Sequence, residues 1–219
     1  MASRLPIAVL VSGEGTTLDA LADLAEAGRL PADIRLVVSD RPHAPALEKA
    51  RRHGIATLVL PSRGVDPETW VRRLTEVLEE NGVELVVLAG FLTILPRSWT
   101  ERWRGRALNI HPALLPKHGG PGMYGTRVHD AVLAAHETET GATVHLVTGD
   151  VDRGRTLAQE RVPVLPDDTP ATLRERLHPV EVRLLAEAIR RFADGDWPLP
   201  YPEPDVSAPE GADRSPSSR

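Results

Sequence analysis

The chain has 219 residues, enough for one domain or one domain and a tail. Its 26 Lys+Arg against 31 Asp+Glu give a formal net charge of −5, which argues against a nucleic-acid binder built on a basic field. The absence of cysteine excludes disulfides, thiolate zinc sites, iron–sulfur clusters and a cysteine nucleophile, and the longest purely apolar run, Leu85–Ala89, falls far short of the roughly 20 residues of a membrane helix.

The first expected strand is Ile7–Val11, a short β-branched run. A helix follows at Thr17–Ala27, where Leu18, Leu21, Ala22 and Leu24 recur at helical spacing. Ile34–Val38 reads as a strand, Ala46–His53 as a helix and Ala56–Leu60 as a strand. Pro67–Asn81 sets Trp70, Leu74, Val77 and Leu78 on one helical stripe. Leu85–Ala89 is a continuous apolar run, as in a strand buried on both faces. Such alternation predicts an α/β fold, a largely parallel sheet with helices on both sides. Ala107–Ile110 is a further strand. Thr143–Val147 and Leu157–Val164 are two strands joined by a turn, and Asp168–Ala193 is a long helix that Thr169 can cap, with Leu173, Leu177, Val180, Leu184, Ala188 and Phe192 on one face.

The catalytic body is expected to span 1–195, and 196–219 to form a tail. That tail carries six prolines and no apolar periodicity, so it should be extended and mostly disordered, with Trp197, Leu199 and Tyr201 packing its start onto the body. The start, Met1–Pro6, reaches a strand without a basic region and an apolar core, so no secretion signal is expected and the chain reads as cytoplasmic.

Ligands of parallel sheets bind beyond the carboxyl ends of the strands, which draws attention to three loops. The first, Ser12-Gly13-Glu14-Gly15-Thr16-Thr17, leads into a helix whose free N–H groups suit an anion. It reads either as a phosphate cradle or as a tight turn capped by a threonine. A dinucleotide fingerprint would place a third glycine at position 18, where Leu18 stands, although Asp40 could still bind a ribose. The second loop follows Ala89. The third opens with Asn109-Ile110-His111-Pro112, where strand alternation puts the Asn109 amide and the His111 imidazole on one side. An amide donor beside a proton-carrying histidine suits acyl transfer. Next comes His118–Gly125, with four glycines in eight residues, either a closing loop or a plain connector.

Asn109–Lys117 (NIHPALLPK), the glycine-rich segment, and the later GATVHLVTGDVDRG together resemble the glycinamide ribonucleotide formyltransferases of purine synthesis, across roughly residues 6–194. The resemblance implies a Rossmann-like three-layer fold, mostly parallel with an antiparallel C-terminal strand. It implies formyl transfer from 10-formyltetrahydrofolate, as co-substrate, to the amine of glycinamide ribonucleotide. Asn109 and His111 match the family's catalytic pair, and Asp152, seven residues after His145, its catalytic aspartate. Gly13, Gly15, Thr16 and Thr17 match the phosphate cradle, Gly122–Tyr124 the loop over the ribonucleotide, and Glu181 a substrate-binding glutamate. His178 stands where relatives carry a phosphate contact. Leu92, Thr93, Ile94 and Leu95 match the backbone that grips the pterin, with Val147 and Asp150 across the pocket.

The sequence also departs from the family. Thr16 and Thr17 replace a Ser-Asn pair, Glu14 sets a carboxylate beside the cradle, Thr93 replaces a basic residue, and Glu181-Val182 replaces Glu-His. In such chemistry Asn109 and a protonated His111 would donate to the developing oxyanion, and Asp152 would hold His111 cationic. His145 is read as a supporter of the site. Gln159 and Lys117 receive no role.

No metal is expected. His129 and His136, seven apart on one expected helix, lack an HExxH or thiolate context. The expected partners are small molecules, with no nucleic acid or membrane, and the chain is a monomer or homodimer. Three other enzyme readings are hydrolysis of the formyl-folate and formylation of an initiator tRNA or of an amino sugar. The hydrolases carry an extra N-terminal domain, for which a first strand at about residue 6 is expected to leave no room. The tRNA enzymes carry an extra β-domain. A non-catalytic nucleotide-binding module would leave the coexistence of Asn109, His111 and Asp152 unexplained.

Overall fold

The computed structural model describes residues 4–202. The expected tail falls mostly on 203–219, outside the described residues. Alternation of strand and helix runs through the first half: β1 (Leu5–Val11), α1 (Thr16–Glu26), β2 (Ala32–Ser39), α2 (Pro45–Arg52), β3 (Ala56–Val59), α3 (Pro67–Glu80), β4 (Leu85–Leu88), α4 (Arg97–Arg102) and β5 (Ala107–His111). Then come α5 (Thr126–Ala134), β6 (Glu139–Leu146), β7 (Thr156–Pro163) and α6 (Pro170–Ala193).

Seven strands make one sheet in the order β3-β2-β1-β4-β5-β6-β7. β1 to β5 pair in parallel, and β6 alone runs against its neighbours on both sides. The order reverses between β1 and β4. At that switch point the connections leave in opposite directions and open a crevice at the carboxyl ends.

Period-two alternation splits the buried strand residues between two cores. Ile7, Val9 and Val11 of β1 pack with Leu18, Leu21 and Leu177 on one face. Ala8 and Leu10 pack with Trp70, Leu74, Leu78, Trp99 and Trp103 on the other. Each fully buried leucine contributes about 2 kcal/mol of transfer free energy. Helix α3 begins at an Asp66 cap that accepts from the Thr69 N–H, and α6 at a capping box of Thr169 and Thr172.

Three local details differ from the sequence reading. Helix α4 was not expected: it has six residues, too few to show a period, and is held by buried Trp99. On α6 the buried face takes in Leu185, Ala186 and Ile189, while Leu184 is half-buried, a shift that follows Pro179 inside the helix. His136 lies beyond the end of α5 at φ 52, so it does not share a helix with His129. Past α6, Trp197 and Tyr201 meet the Phe192 ring edge-on at centroid distances of 5.4 and 6.1 Å, and the Tyr201 N–H donates to the Gly105 carbonyl.

Candidate active site

The crevice is a cleft of about 440 Å³. It is lined by the loop after β1, the loop after β4, the end of β5, the glycine-rich segment, the turn between β6 and β7, and one face of α6. Asn109 and His111 project from the same side of β5. Opposite them on β6 are His145 and Thr143.

Asn109 Nδ2 lies 3.0 Å from His145 Nε2 and 3.5 Å from Asp152 Oδ1. His145 Nδ1 faces the Leu146 carbonyl at 2.9 Å, so that nitrogen carries the proton and Nε2 accepts from Asn109. One amide proton of Asn109 is thereby committed. The other is held only by the long Asp152 contact. His111 Nε2 donates to the His118 carbonyl at 2.8 Å, which leaves Nδ1 facing Asp152 Oδ2 at 3.6 Å. The second Asp152 oxygen also accepts from the Gly120 N–H at 2.9 Å. Asp152 adopts φ 55 in its turn, a conformation that Asp and Asn tolerate better than most residues. Gly119 allows the glycine-rich segment to approach: a Cβ there would come within 2.3 Å of Leu115 Cδ2 and 3.2 Å of Asp152 Cβ.

Burial pushes the His111 pKa below its ordinary value, and the nearby Asp152 charge opposes this without overcoming it. The sequence reading placed a resting cation here, whereas burial favours the neutral imidazole. A residue 3% exposed loses more solvation than one carboxylate at 3.6 Å returns. For Asp152, burial raises the pKa. Contact with His145, the charge available on His111 and the Gly120 N–H outweigh it and hold the carboxyl below the usual range.

Thr143, which sequence reasoning passed over, secures the segment after β5. Its Oγ1 donates to the Ala113 carbonyl at 2.6 Å and accepts from the Leu115 N–H and from Gln159. Gln159 also donates to the Leu115 carbonyl at 3.1 Å, and Lys117 pairs with Glu137. Both residues without a role in the sequence reading therefore brace this segment.

At the head of α1, Gly15 occupies the N-cap at φ 67 and offers no side-chain cap to the first N–H groups of the helix, and the residues that carry them line the cleft. A Cβ on Gly15 would sit 2.4 Å from Ala46 Cβ. Gly13, Thr16 and Thr17 line the same end, and Glu14 is exposed at its rim. His178 and Glu181 face this end from α6.

On the other side, the Ser12 hydroxyl accepts from the Leu92 N–H at 2.8 Å. The Thr93 hydroxyl donates to Asp40 at 2.7 Å and meets Ser62 at 2.8 Å. Asp40 is thus engaged by the second loop. The Leu95 side chain is buried in the core, while Ile94 is 64% exposed. Val147 is half-buried and Asp150 exposed, and both line the cleft. Outside it, among the described residues, Asp23, Glu26 and His53 stand together as possible metal ligands. Burial lowers the His53 pKa, but its carboxylate partners raise it above the ordinary value.

Burial pushes Glu181 up to about 7, against the charge of Arg174. The folded chain therefore holds this proton between about pH 4.3 and pH 7, where the unfolded chain has released it. Glu181 thus costs stability as pH rises through that window. Glu181→Gln should raise the melting temperature at about pH 8.5 by a few °C, with the gap closing towards about pH 4.5. A gap independent of pH in parallel melts would contradict the neutral carboxyl.

A family model described as formyl transferase matches residues 5–189. The phosphoribosylglycinamide formyltransferase of Escherichia coli (strain K12) is 36% identical over 86% of this chain and 87% of its own length. The chloroplastic enzyme of the same name from Arabidopsis thaliana is 38% identical over 85% of this chain. The trifunctional purine biosynthetic protein adenosine-3 of Drosophila melanogaster is 38% identical over 88% of this chain. The chain spans 64% of the plant protein's length and 14% of the fly protein's.

Among solved structures, glycinamide ribonucleotide transformylase 1 from Symbiobacterium toebii superposes with a TM-score of 0.83. It is 38% identical, over 89% of this chain and 90% of its own. A formyltetrahydrofolate deformylase from Pseudomonas putida KT2440 is more distant, at 28% identity and a TM-score of 0.78, over 89% of this chain and 67% of its own. The chain belongs to the formyl transferase family, alongside the phosphoribosylglycinamide formyltransferases.

Proposed function

We propose that the cleft transfers the formyl group of 10-formyltetrahydrofolate to the amine of glycinamide ribonucleotide, giving formylglycinamide ribonucleotide and tetrahydrofolate in de novo purine synthesis. The observation that carries this reading is the meeting of Asn109, His111 and Asp152 in a cleft with an N–H-lined end and an apolar end. The acceptor's phosphate lies on the N–H groups of Gly13, Gly15, Thr16 and Thr17, with His178 beside it. Glu181 accepts from the acceptor's hydroxyls. The pterin is held by the backbone of Leu92, Thr93, Ile94 and Leu95, with Val147 and Asp150 across from it.

The formyl donor supplies the carbonyl carbon that the amine attacks. Neutral His111 receives the amine proton at Nδ1, the nitrogen left free by the bond to the His118 carbonyl. Asp152, ionised and 3.6 Å away, stabilises the resulting imidazolium. The second amide proton of Asn109 serves the oxygen that gains negative charge. The proton on Nδ1 is then returned to the folate nitrogen as it leaves. Thr143 and Gln159 keep the segment rigid while this happens.

The same reading gives small-molecule substrates and a cytoplasmic enzyme without nucleic-acid or membrane partners, as monomer or homodimer. The net charge of −5 supports the exclusion of nucleic acid. The test is formyl transfer with glycinamide ribonucleotide beside a panel of other amines. The ribonucleotide should have the highest kcat/KM; a preference for another amine would overturn the acceptor assignment.

A further inference from the structure

Residues 90–95, which follow β4, line the apolar end of the cleft. They form neither helix nor strand, so their shape depends on contacts made outside the segment. Successive residues are tied to different strand ends. The Gly90 carbonyl accepts from the Ser12 N–H at 3.1 Å, and the Leu92 N–H donates to the Ser12 hydroxyl at 2.8 Å, both just past β1. Phe91 stacks on Trp70 with 6.1 Å between ring centroids, and the Trp70 indole N–H donates to the Leu60 carbonyl past β3. Thr93 reaches two elements at once. Its hydroxyl donates to Asp40 Oδ2 at 2.7 Å, past β2, and so accepts from the Ser62 hydroxyl at 2.8 Å, past β3. In the sheet, β1 separates β4 from β2 and β3, so this chain of hydroxyls joins strand ends that are not neighbours.

The tie has a fixed direction. The Asp40 carboxylate only accepts, which commits the Thr93 proton to it and the Ser62 proton to Thr93. A charged acceptor makes the first of these bonds about twice as strong as a neutral one. The other carboxylate oxygen, Oδ1, is buried without a hydrogen-bond partner among the described residues, so the bond from Thr93 is what offsets the desolvation of this group. The effect on the segment shows at Ile94. Between the tied Thr93 and the buried Leu95, its side chain stands 64% exposed on the cleft wall. A large apolar side chain kept out of the core and set on a cleft wall is placed for the apolar face of a ligand.

We propose that Thr93 is a positioning residue for the formyl donor: its hydroxyl, tied to Asp40 and Ser62, sets the shape of residues 90–95 and holds Ile94 and the segment's backbone ready for the pterin. The assignment rests on the donor reading given above. A segment ordered in advance loses less freedom when the donor binds, so the tie is felt as donor affinity.

The experiment combines steady-state kinetics, with 10-formyltetrahydrofolate varied, and calorimetric titration with tetrahydrofolate in the absence of acceptor. Thr93→Val keeps the shape and loses the hydroxyl. It should raise the donor KM and the tetrahydrofolate Kd by about 10-fold each, lower kcat by less, and leave the acceptor KM close to wild type. Ser62→Ala, which removes one of the two bonds, should weaken the donor by about threefold, and Thr93→Ser should recover most of the affinity. Thr169→Ala, at the cap of α6, should lower the melting temperature without raising the donor KM, which separates positioning from a general loss of stability. Equal losses for donor and acceptor in Thr93→Val, or no recovery in Thr93→Ser, would overturn the proposal. Wild-type affinity for tetrahydrofolate in Thr93→Val would remove the positioning role alone, whereas wild-type protein that does not bind tetrahydrofolate would remove the donor reading itself.

Discussion

Asp152→Asn is expected to slow formyl transfer by about 10²–10⁴-fold with folate affinity close to wild type. The two side chains are nearly isosteric, and asparagine tolerates the positive φ of 55 at this position. Its amide oxygen can still accept from the Gly120 N–H, so the glycine-rich segment stays in place. What disappears is the charge facing His111 Nδ1. That charge raises the His111 pKa against burial, so its loss makes the histidine a weaker base and leaves the imidazolium unpaired in a buried site. The acidic limb of the rate profile therefore shifts to lower pH while the plateau falls. The backbone around Leu92, the proposed pterin site, is held by Ser12, and Thr93 by Asp40, contacts that do not involve Asp152. Single-turnover rates across pH, with folate affinity measured separately, check both halves. A plateau near the wild-type value would reduce Asp152 to a turn residue.

Asn109→Ala should cost about 10²–10³-fold in the same single-turnover rate, for a different reason. In the proposed mechanism the amide is the donor to the developing oxyanion, and nothing else on β5 replaces it. Here the acidic limb should keep its position, because the His111–Asp152 pair is intact. The truncation also leaves His145 Nε2 without its 3.0 Å partner, so a modest loss of stability, about 1 kcal/mol, accompanies it. A shifted limb in this variant would show that Asn109 acts through the histidine. The two variants thus separate proton transfer from charge stabilisation by the shape of their pH profiles.

Much of this arrangement is legible in the sequence. Strand β4 declares itself because both of its faces are buried, and Asn109 and His111 because strand period puts alternate residues on one side. The loop before α1 is visible because only glycine fits where Gly15 meets Ala46. Other features are not local. The protonation state of His111 depends on how much water the fold removes, which no motif encodes; the motif alone suggested a cation. Thr143 and Gln159 act through contacts made across 28 to 44 positions. His129 lines the cleft because α5 packs beside α6, and a histidine count offered no reason to single out one of eight. Helix α4 is too short to show a period.

The fate of the formyl carbon tests the central claim most directly. Wild-type protein is mixed with 10-formyltetrahydrofolate labelled in the formyl group and with glycinamide ribonucleotide, and the products are separated after one turnover. The label should appear in formylglycinamide ribonucleotide, at a rate proportional to acceptor at low concentration. Label recovered as free formate, at a rate indifferent to acceptor, would mean that the cleft delivers the formyl group to water and that the transferase reading is wrong.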